Sequence, residues 1–505
     1  MSMDITYKHS SAWKVSWLFV FIAGISLLFA DIEIISLEPW QELKRFFLGL
    51  ISPDWSHPKE IGIAFLQTLA FAILGVAGGS FFGFFLALIF HSRLVQVTCA
   101  FIRAIHELFW ALIFLQIFGL HPLTGLLAIG LPYAATFAKV YAEILEEGDK
   151  SALQAISSKS STISTFFYAR LPDLWEHFKT YTSYRLECGL RSSAILGFVG
   201  LPTLGYSLSS AFMEGHYSVV WALLLLFYLL IATIRYWVRP ALLPFYIIIA
   251  PFIIANDSKI SFENVQRFFT EDIIPSPIKN GESLSQIWDW FSNLIVTQAI
   301  PGIGSTLVLT QIALVATGIL TLLLFPLISN HFFNRGGRTI GHILLVVMRS
   351  TPEYILAYIL LQLWGPSMFP AIVALALHNG AIIGHLIGRY SLEIKLRVDT
   401  TKGINRYLYE LLPRLYGQFL AFLFYRWEII LRESAILGIL GIATLGFYID
   451  SAIQELHFDK AMILIVITAL LNVLVDTFSR YLRARLRLKT DLDCNACNDY
   501  CTAKT

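Results

Sequence analysis

The chain has 505 residues, of which 56% are hydrophobic and only 14% charged, about half the charged share of an average soluble protein. Mean hydropathy is +0.66, and 39 Phe, 21 Tyr and 12 Trp are spread along the whole length, which excludes both an ordinary cytosolic enzyme and a soluble domain on a single apolar anchor. A net charge of +2 from 37 basic and 35 acidic residues leaves no surplus for holding nucleic acid.

A bilayer core of roughly 30 Å takes about 20 helical residues. Apolar runs of that length recur about twelve times, near 13–30, 61–90, 94–118, 123–145, 180–208, 219–234, 242–254, 304–328, 340–363, 368–387, 418–446 and 461–477. The fold expected is an all-α polytopic membrane protein. The seventh run is short and carries Pro244 and Pro251, so it reads as kinked or partly re-entrant. With the N-terminus inside, loops and tails on the cytoplasmic side hold 23 Lys and Arg against 7 outside, the bias that keeps basic loops in the cytoplasm. Both termini are therefore expected inside.

The strongest pattern is an internal repeat. Arg185-Leu-Glu-Cys-Gly-Leu-Arg-Ser-Ser-Ala-Ile-Leu-Gly197 returns as Arg426-Trp-Glu-Ile-Ile-Leu-Arg-Glu-Ser-Ala-Ile-Leu-Gly438 at an offset of 241, and the match runs on through Gly200 and Gly441 to Gly205 and Gly446. Upstream, Arg103 to Glu107 pairs with Arg349 to Glu353, at an offset of 246. The expected domains are a first half at 1–238, a second at 239–488 and a cytoplasmic tail at 489–505. With an even number of spans each, the halves should share one orientation, with a pathway between them.

No Gly-x-x-x-x-Gly-Lys-Ser/Thr cradle, His-Glu-x-x-His motif or Gly-x-Ser-x-Gly elbow occurs in the chain, so the sequence offers no nucleotide site and no catalytic set, and a transporter subunit is expected rather than an enzyme. Charge pairs recur at Arg103 with Glu107, Glu187 with Arg191, Arg349 with Glu353 and Glu428 with Arg432, each spaced to share one helix face. They read either as clamps between helices or as the lining and gate of an anion path. Arg185 and Arg426 lack an acid four residues away and are the better candidates for meeting a negative substrate. Gly197, Gly200, Gly438 and Gly441 interrupt apolar helical stretches and suit a break or a close backbone approach. Gly75, Gly79 and Gly83 suit helix packing.

The polar loops 146–170 and 389–414 each lead to a Leu-Pro pair, Leu171-Pro172 and Leu412-Pro413. Here the chain resembles the permease subunits of binding-protein-dependent ABC importers (type I), in which a loop helix some fifteen residues before Leu-Pro docks into a separate ATPase. Ser151-Ala152-Leu153 stands where that family has Glu-Ala-Ala or Glu-Ala-Leu, and in the second half Gly403 and Leu412-Pro413 keep the pattern. Within the superfamily the resemblance is to phosphonate permeases, through the Arg-x-x-Pro-Glu helix at Arg349, Leu377-His378 with Gly384-His385, and the segments from Arg191 and Arg432. It implies two ABC ATPase subunits on the cytoplasmic side, a periplasmic solute-binding protein, no cofactor in the chain itself since the partners bind ATP, and a bacterial inner-membrane location. The implied cargo is a phosphonate, phosphite or phosphate, with another solute such as an amino acid, or an ion-coupled secondary transporter, as alternatives. The tail cysteines Cys494, Cys497 and Cys501 form an incomplete metal-ligand set and read as a solvated tail.

The charge bias sets a topology test: cysteines placed at Ser158 and Lys402 should react only from the cytoplasmic side, and those at Asn280 and Ser56 only from outside. Labelling of Asn280 from within would overturn the six-span parity of the halves.

Overall fold

In the computed structural model the described residues are 3–35, 38–147, 161–239, 241–254, 259–397, 402–486 and 488. Ser151, Ala152 and Leu153 and the cysteines Cys494, Cys497 and Cys501 lie outside them. The described residues are all-α, with no strand among them. The principal helices are α1 (Met3–Ser26), α2 (Pro39–Ile51), α3 (Pro58–Leu88), α4 (Arg93–Ala104), α5 (Glu107–Phe118), α6 (Pro122–Glu147), α7 (Leu171–Ile195), α8 (Leu204–Met213), α9 (Tyr217–Ala232), α10 (Leu243–Ile254), α11 (Leu284–Leu294), α12 (Ile300–Leu324), α13 (Arg335–Ser350), α14 (Glu353–Trp364), α15 (Met368–Glu393), α16 (Leu412–Ile439), α17 (Leu445–Gln454) and α18 (Phe458–Arg485). By length and composition, five segments can cross a membrane, or up to eight if each of three bent pairs is one span. Residues 11–26 of α1, with α9 and α10, are shorter apolar helices.

Two runs expected as straight spans are not straight. Helices α4 and α5 meet at 92°, and α13 and α14 at 90°. In the second corner Pro352 drives Thr351 out of the helical region, to φ −67° and ψ 118°. In the first, His106 replaces that proline and caps α5 by accepting the Leu108 amide on Nδ1 at 3.1 Å. Each corner falls between the arginine and the glutamate of a pair expected on one helix face. Arg103 ends α4 while Glu107 opens α5, and Arg349 lies on α13 while Glu353 opens α14. The shared-face expectation fails for these two pairs and holds for Glu187–Arg191 on α7 and Glu428–Arg432 on α16.

Leu171-Pro172 and Leu412-Pro413 open α7 and α16 rather than ending a helix. Each follows a widened turn, Phe166–Arg170 and Arg406–Leu411, in which the Leu171 amide reaches back five residues to the Phe166 carbonyl and that of Leu412 to Tyr407. The same device precedes Pro301, where Ile300 bonds back to Ile295. A proline offers no N–H and its ring collides with the carbonyl four residues back, so the turn widens and the helix runs on.

The chain packs as two units, Met1–Leu48 with Phe269–Asp491, and Gly49–Phe268. These differ from the division at 238/239 expected from the repeat, because the leading helix of each repeat packs with the core of the other. Helix α1 lies on α12 and α16: Phe19 sits 5.2 Å from Phe424 and 5.1 Å from Trp427, and its carbonyl accepts the Gln311 side-chain amide at 3.1 Å. Helix α10, with Ala250 and Ile254 buried, packs along α3.

Within the unit Gly49–Phe268, α3 crosses α6 on a glycine stripe. A Cβ on Gly75 would press on Ile129, on Gly79 on Tyr133, and on Gly83 on Phe137. In the other unit the small residues change sides: Gly380, Gly384 and Gly388 of α15 take Leu320, Leu324 and Ile328. Close approach of this kind replaces the hydrophobic drive that lipid removes. Gly79→Ala and Gly83→Ala should each cost about 1–3 kcal/mol by overpacking, whereas Gly78→Ala, whose Cβ meets nothing within 4 Å, should leave stability unchanged or raised. Thermal unfolding in detergent measures the difference.

Candidate functional site

Each unit holds a buried polar node built from repeat-related positions, and each is described by itself. In the unit Gly49–Phe268, Glu107 stands at the N-terminus of α5, where the helix dipole favours a carboxylate. Its Oε1 accepts the Ser192 hydroxyl at 2.9 Å, and its Oε2 is 3.4 Å from His106 Nε2. Ser192 Oγ also lies 3.2 Å from the Tyr133 hydroxyl. Arg185, one face along α7, donates through Nε to the Tyr181 hydroxyl at 2.8 Å, and its guanidinium lies over the rings of Tyr181 and Tyr133 at 5.4 and 5.7 Å. Two aromatic faces thus support this cation in a partly desolvated place. Arg191 Nη2 donates to Cys188 Sγ at 3.5 Å.

In the unit that contains the second repeat, Glu353 opens α14 and is 9% exposed. His378 Nδ1 lies 2.9 Å from the Thr351 carbonyl and its Nε2 3.6 Å from Glu353 Oε2. Asn379 Nδ2 donates to Glu433 Oε2 at 2.9 Å, and Glu433 Oε1 lies 3.8 Å from Arg426 Nη1. Glu353, His378 and Glu433 bring ligand-capable atoms within 4.8 Å of one another. Here Arg426 forms an ion pair with Glu433, and the His378 ring stands beside Glu353.

Position by position, Glu107 corresponds to Glu353, Tyr133 to Asn379, Arg185 to Arg426 and Ser192 to Glu433. The last exchange matters most. Arg426 has no acid at i+4, as expected, but finds Glu433 two turns along the same helix. Arg185 finds a serine there instead. Sequence reasoning singled out Glu107, Glu353, Arg185 and Arg426, noted His378 only as part of a family segment, and missed Tyr133, Ser192, Asn379 and Glu433 as node residues. The one signal for Glu433 was the single charge-changing difference inside the repeated Arg-x-Ser-Ala-Ile-Leu-Gly segment.

Below each node the helix breaks at the glycine positions. Gly200 and Gly441 adopt φ +92° and +91°. In the first half Gly200 N bonds to Gly197 O at 3.1 Å and Leu201 N to Leu196 O at 3.2 Å; in the second, Gly441 N bonds to Gly438 O at 3.0 Å and Ile442 N to Leu437 O at 3.2 Å. This is a Schellman ending in both. The next helix then folds back: a Cβ on Gly197 would overlap the Tyr206 nitrogen, and one on Gly438 the Phe447 nitrogen. Its first amide is held from outside, Leu204 N by Thr68 Oγ1 at 2.8 Å and Leu445 N by Thr306 Oγ1 at 3.0 Å.

On the loop side, Gly403 takes φ +74°. Beyond it, Arg406 donates to the His331 carbonyl at 2.9 Å and the Tyr407 hydroxyl to the Leu322 carbonyl at 2.9 Å. These bonds seat the turn before Leu412-Pro413 on the end of α12.

Two homologous halves of membrane helices, each with a buried charged node and a glycine-hinged break, define a polytopic permease. Residues 322–488 match the model of the binding-protein-dependent transport system inner membrane component. The chain is 23% identical to the Phosphate-import permease protein PhnE of Mycolicibacterium smegmatis over 477 residues, 86% of this chain and 88% of that one. It is 27% identical to the Phosphite transport system permease protein PtxC of Stutzerimonas stutzeri over 183 residues, 34% of this chain and 66% of that one. No solved structure matches it significantly. Residues 322–488 thus match the membrane component of a binding-protein-dependent transport system, and along most of its length the chain is similar to a phosphate-import permease.

Glu433→Ala would strand the Arg426 charge and the Asn379 amide, and should cost about 3–5 kcal/mol. The pair Arg426→Met with Glu433→Met, which leaves no charge behind, should cost less than the single change. Thermal unfolding of the three variants tests this coupling.

Proposed function

We propose that this chain is the complete membrane path of an importer for phosphorus oxyanions of the phosphate, phosphite and phosphonate kind. A periplasmic binding protein delivers the anion, and two separate ATPase subunits docked on the cytoplasmic side hydrolyse ATP, the permease itself carrying no ATPase site. Both termini lie in the cytoplasm. The observation that carries the reading is the match to a phosphate-import permease along 86% of the chain, spanning both repeats. The node chemistry supports it: Arg185 offers a planar guanidinium fork suited to paired oxygens, held by neutral hydroxyl and aromatic partners rather than by a carboxylate. In this reading Glu107, Glu187, Arg191, Glu353, Arg426, Glu428 and Arg432 hold the nodes and their helices, Arg103 and Arg349 flank the corners, and Gly197, Gly200, Gly438 and Gly441 form the hinge of the gate. The turns before Leu171-Pro172 and Leu412-Pro413, with Gly403, couple to the ATPase.

The test is uptake of labelled phosphate, phosphite and a simple phosphonate in proteoliposomes that hold the permease with its cognate ATPase and binding protein. ATP-dependent uptake of at least one is expected, and uptake only of an amino acid would overturn the reading. Per folded molecule, Arg185→Gln should slow uptake about tenfold or more, and Arg185→Lys should slow it less, since it keeps the charge and loses the fork.

A further inference from the structure

The node of the second half also gathers metal-ligand chemistry. Glu353 opens α14, His378 lies within α15 and Glu433 on α16; all three are buried, and each brings one ligand-capable atom within 4.8 Å of the others. The orientation of the imidazole follows from its neighbours. A carbonyl oxygen only accepts, so Nδ1 carries its hydrogen toward the Thr351 carbonyl at 2.9 Å, and Nε2 is turned to Glu353 Oε2 at 3.6 Å. That separation is too long for a hydrogen bond. It is close to the roughly 3–3.5 Å that separates two ligands of one ion at bonds of about 2 Å. A backbone carbonyl on the far ring nitrogen is also the usual support of a ligating histidine, since it fixes which nitrogen faces the ion.

Asn379 is an independent sign. It is 0% exposed, and its amide lies against the cluster through Nδ2, which donates to Glu433 Oε2 at 2.9 Å and to the Leu375 carbonyl at 3.1 Å, while its Oδ1 has no hydrogen-bond partner. A buried amide oxygen without a donor is costly. The amide torsion is broad and roughly two-fold, so a half-turn sets that oxygen beside Glu433 Oε2, where a cation between the two oxygens holds them together. Hydrogen bonds to the carboxylates do not exclude an ion, because each oxygen has more than one lone pair and ligating carboxylates are themselves hydrogen-bonded. At the positions of Glu353, His378, Asn379 and Glu433 the first half has Glu107, Pro132, Tyr133 and Ser192. Only the glutamate is kept, so the donor set belongs to the second half alone.

We propose that Glu353, His378 and Glu433, with the Asn379 amide oxygen, form a binding site for a divalent transition cation of the zinc or manganese kind, which ties α14, α15 and α16 together. An imidazole among carboxylate and amide oxygens suits these ions rather than those that seek thiolates. The two carboxylates balance the charge of the ion. Arg426, 3.8 Å from Glu433 Oε1, competes with it for that carboxylate, so removing the guanidinium should tighten binding. The site does not depend on which solute the chain carries.

The test uses the full untagged chain in nanodiscs, with Cys494, Cys497 and Cys501 changed to Ser so that the tail supplies no thiolate. The protein is stripped with a chelator and titrated to equilibrium with zinc or manganese, and one saturable equivalent is expected. Affinity should fall about tenfold or more in His378→Gln and in Glu353→Gln, and rise about threefold or more in Arg426→Gln. Elution profile and melting temperature check folding, and the ion should raise the melting temperature of the parent chain and not that of His378→Gln. If the variants fail to fold, X-ray absorption of the loaded parent chain decides. One imidazole nitrogen among oxygen ligands supports the site, and a shell with sulfur or with several imidazoles overturns it. Equal affinity in the parent chain, His378→Gln and Glu353→Gln also overturns it, as does the absence of saturable binding of either ion. If oxyanion uptake fails while His378-dependent ion binding persists, the import reading falls and the site stands; uptake without ion binding gives the reverse.

Discussion

In a bilayer, a backbone N–H or C=O without a partner costs several kcal/mol, so a helix inside it can stop only where other groups take over its bonds. Both halves meet that constraint in the same way. The glycine at C′ closes the Schellman ending, and the hydroxyl of Thr68 or Thr306 accepts the first amide of the helix that follows. Each hydroxyl also donates to its own helix, to Ala64 O at 2.7 Å and Gly302 O at 2.6 Å, so no polar atom of the threonine is left bare. The cost of the break is met by a few fixed residues, and this is why Gly197, Gly200, Gly205 and their partners recur together. Gly205 and Gly446 admit no Cβ because each lies against a carbonyl oxygen, that of Ala194 or Ala435.

Symmetry of backbone does not extend to chemistry. The same four positions give one half a cation supported by tyrosine rings and hydroxyls, and give the other a cation set against a glutamate. A buried guanidinium with a carboxylate 3.8 Å away is largely neutralised, whereas one resting on aromatic faces keeps most of its field. The two halves of the permease are therefore not electrostatically interchangeable, even though a single repeat generated both.

The repeat, the helical class and the glycine interruptions were legible in the sequence, because spacing and composition are local and the repeat displays them twice. The corners at His106 and Pro352 were not, since a hydropathy run of 25 residues looks the same straight or bent. Only the Thr351-Pro352 pair carried a turn signal, and His106 hid its equivalent. The outcome at Leu171-Pro172 and Leu412-Pro413 was hidden for a related reason: proline forbids one hydrogen bond, and sequence alone does not say whether the chain answers by ending the helix or by widening a turn. Glu433 and Tyr133 were invisible for a third reason. Their partners come from other helices, and no periodicity reports a contact across 54 or 59 positions.

The widened turns also bear on how motion can pass along the chain. In each half one helix begins at the Leu-Pro pair, carries the node and reaches the break: α7 holds Pro172, Arg185 and Ser192 and ends just before Gly197, while α16 holds Pro413, Arg426, Glu433 and Gly438. From Leu171 to Ser192 is about 30 Å at the usual rise. Had proline ended the helix, a push on the loop would be absorbed at the pair. A π-turn keeps the helix continuous, with every turn still bonded, so a tilt applied at the loop is delivered to the node and the glycine break as a movement of one rigid rod. The break is the point where the regular α-helix ends on a left-handed glycine and the next helix is anchored from a different one, by Thr68 or Thr306. Coupling of this kind needs no relay of side chains, only a stiff helix and a hinge placed beyond the charged node.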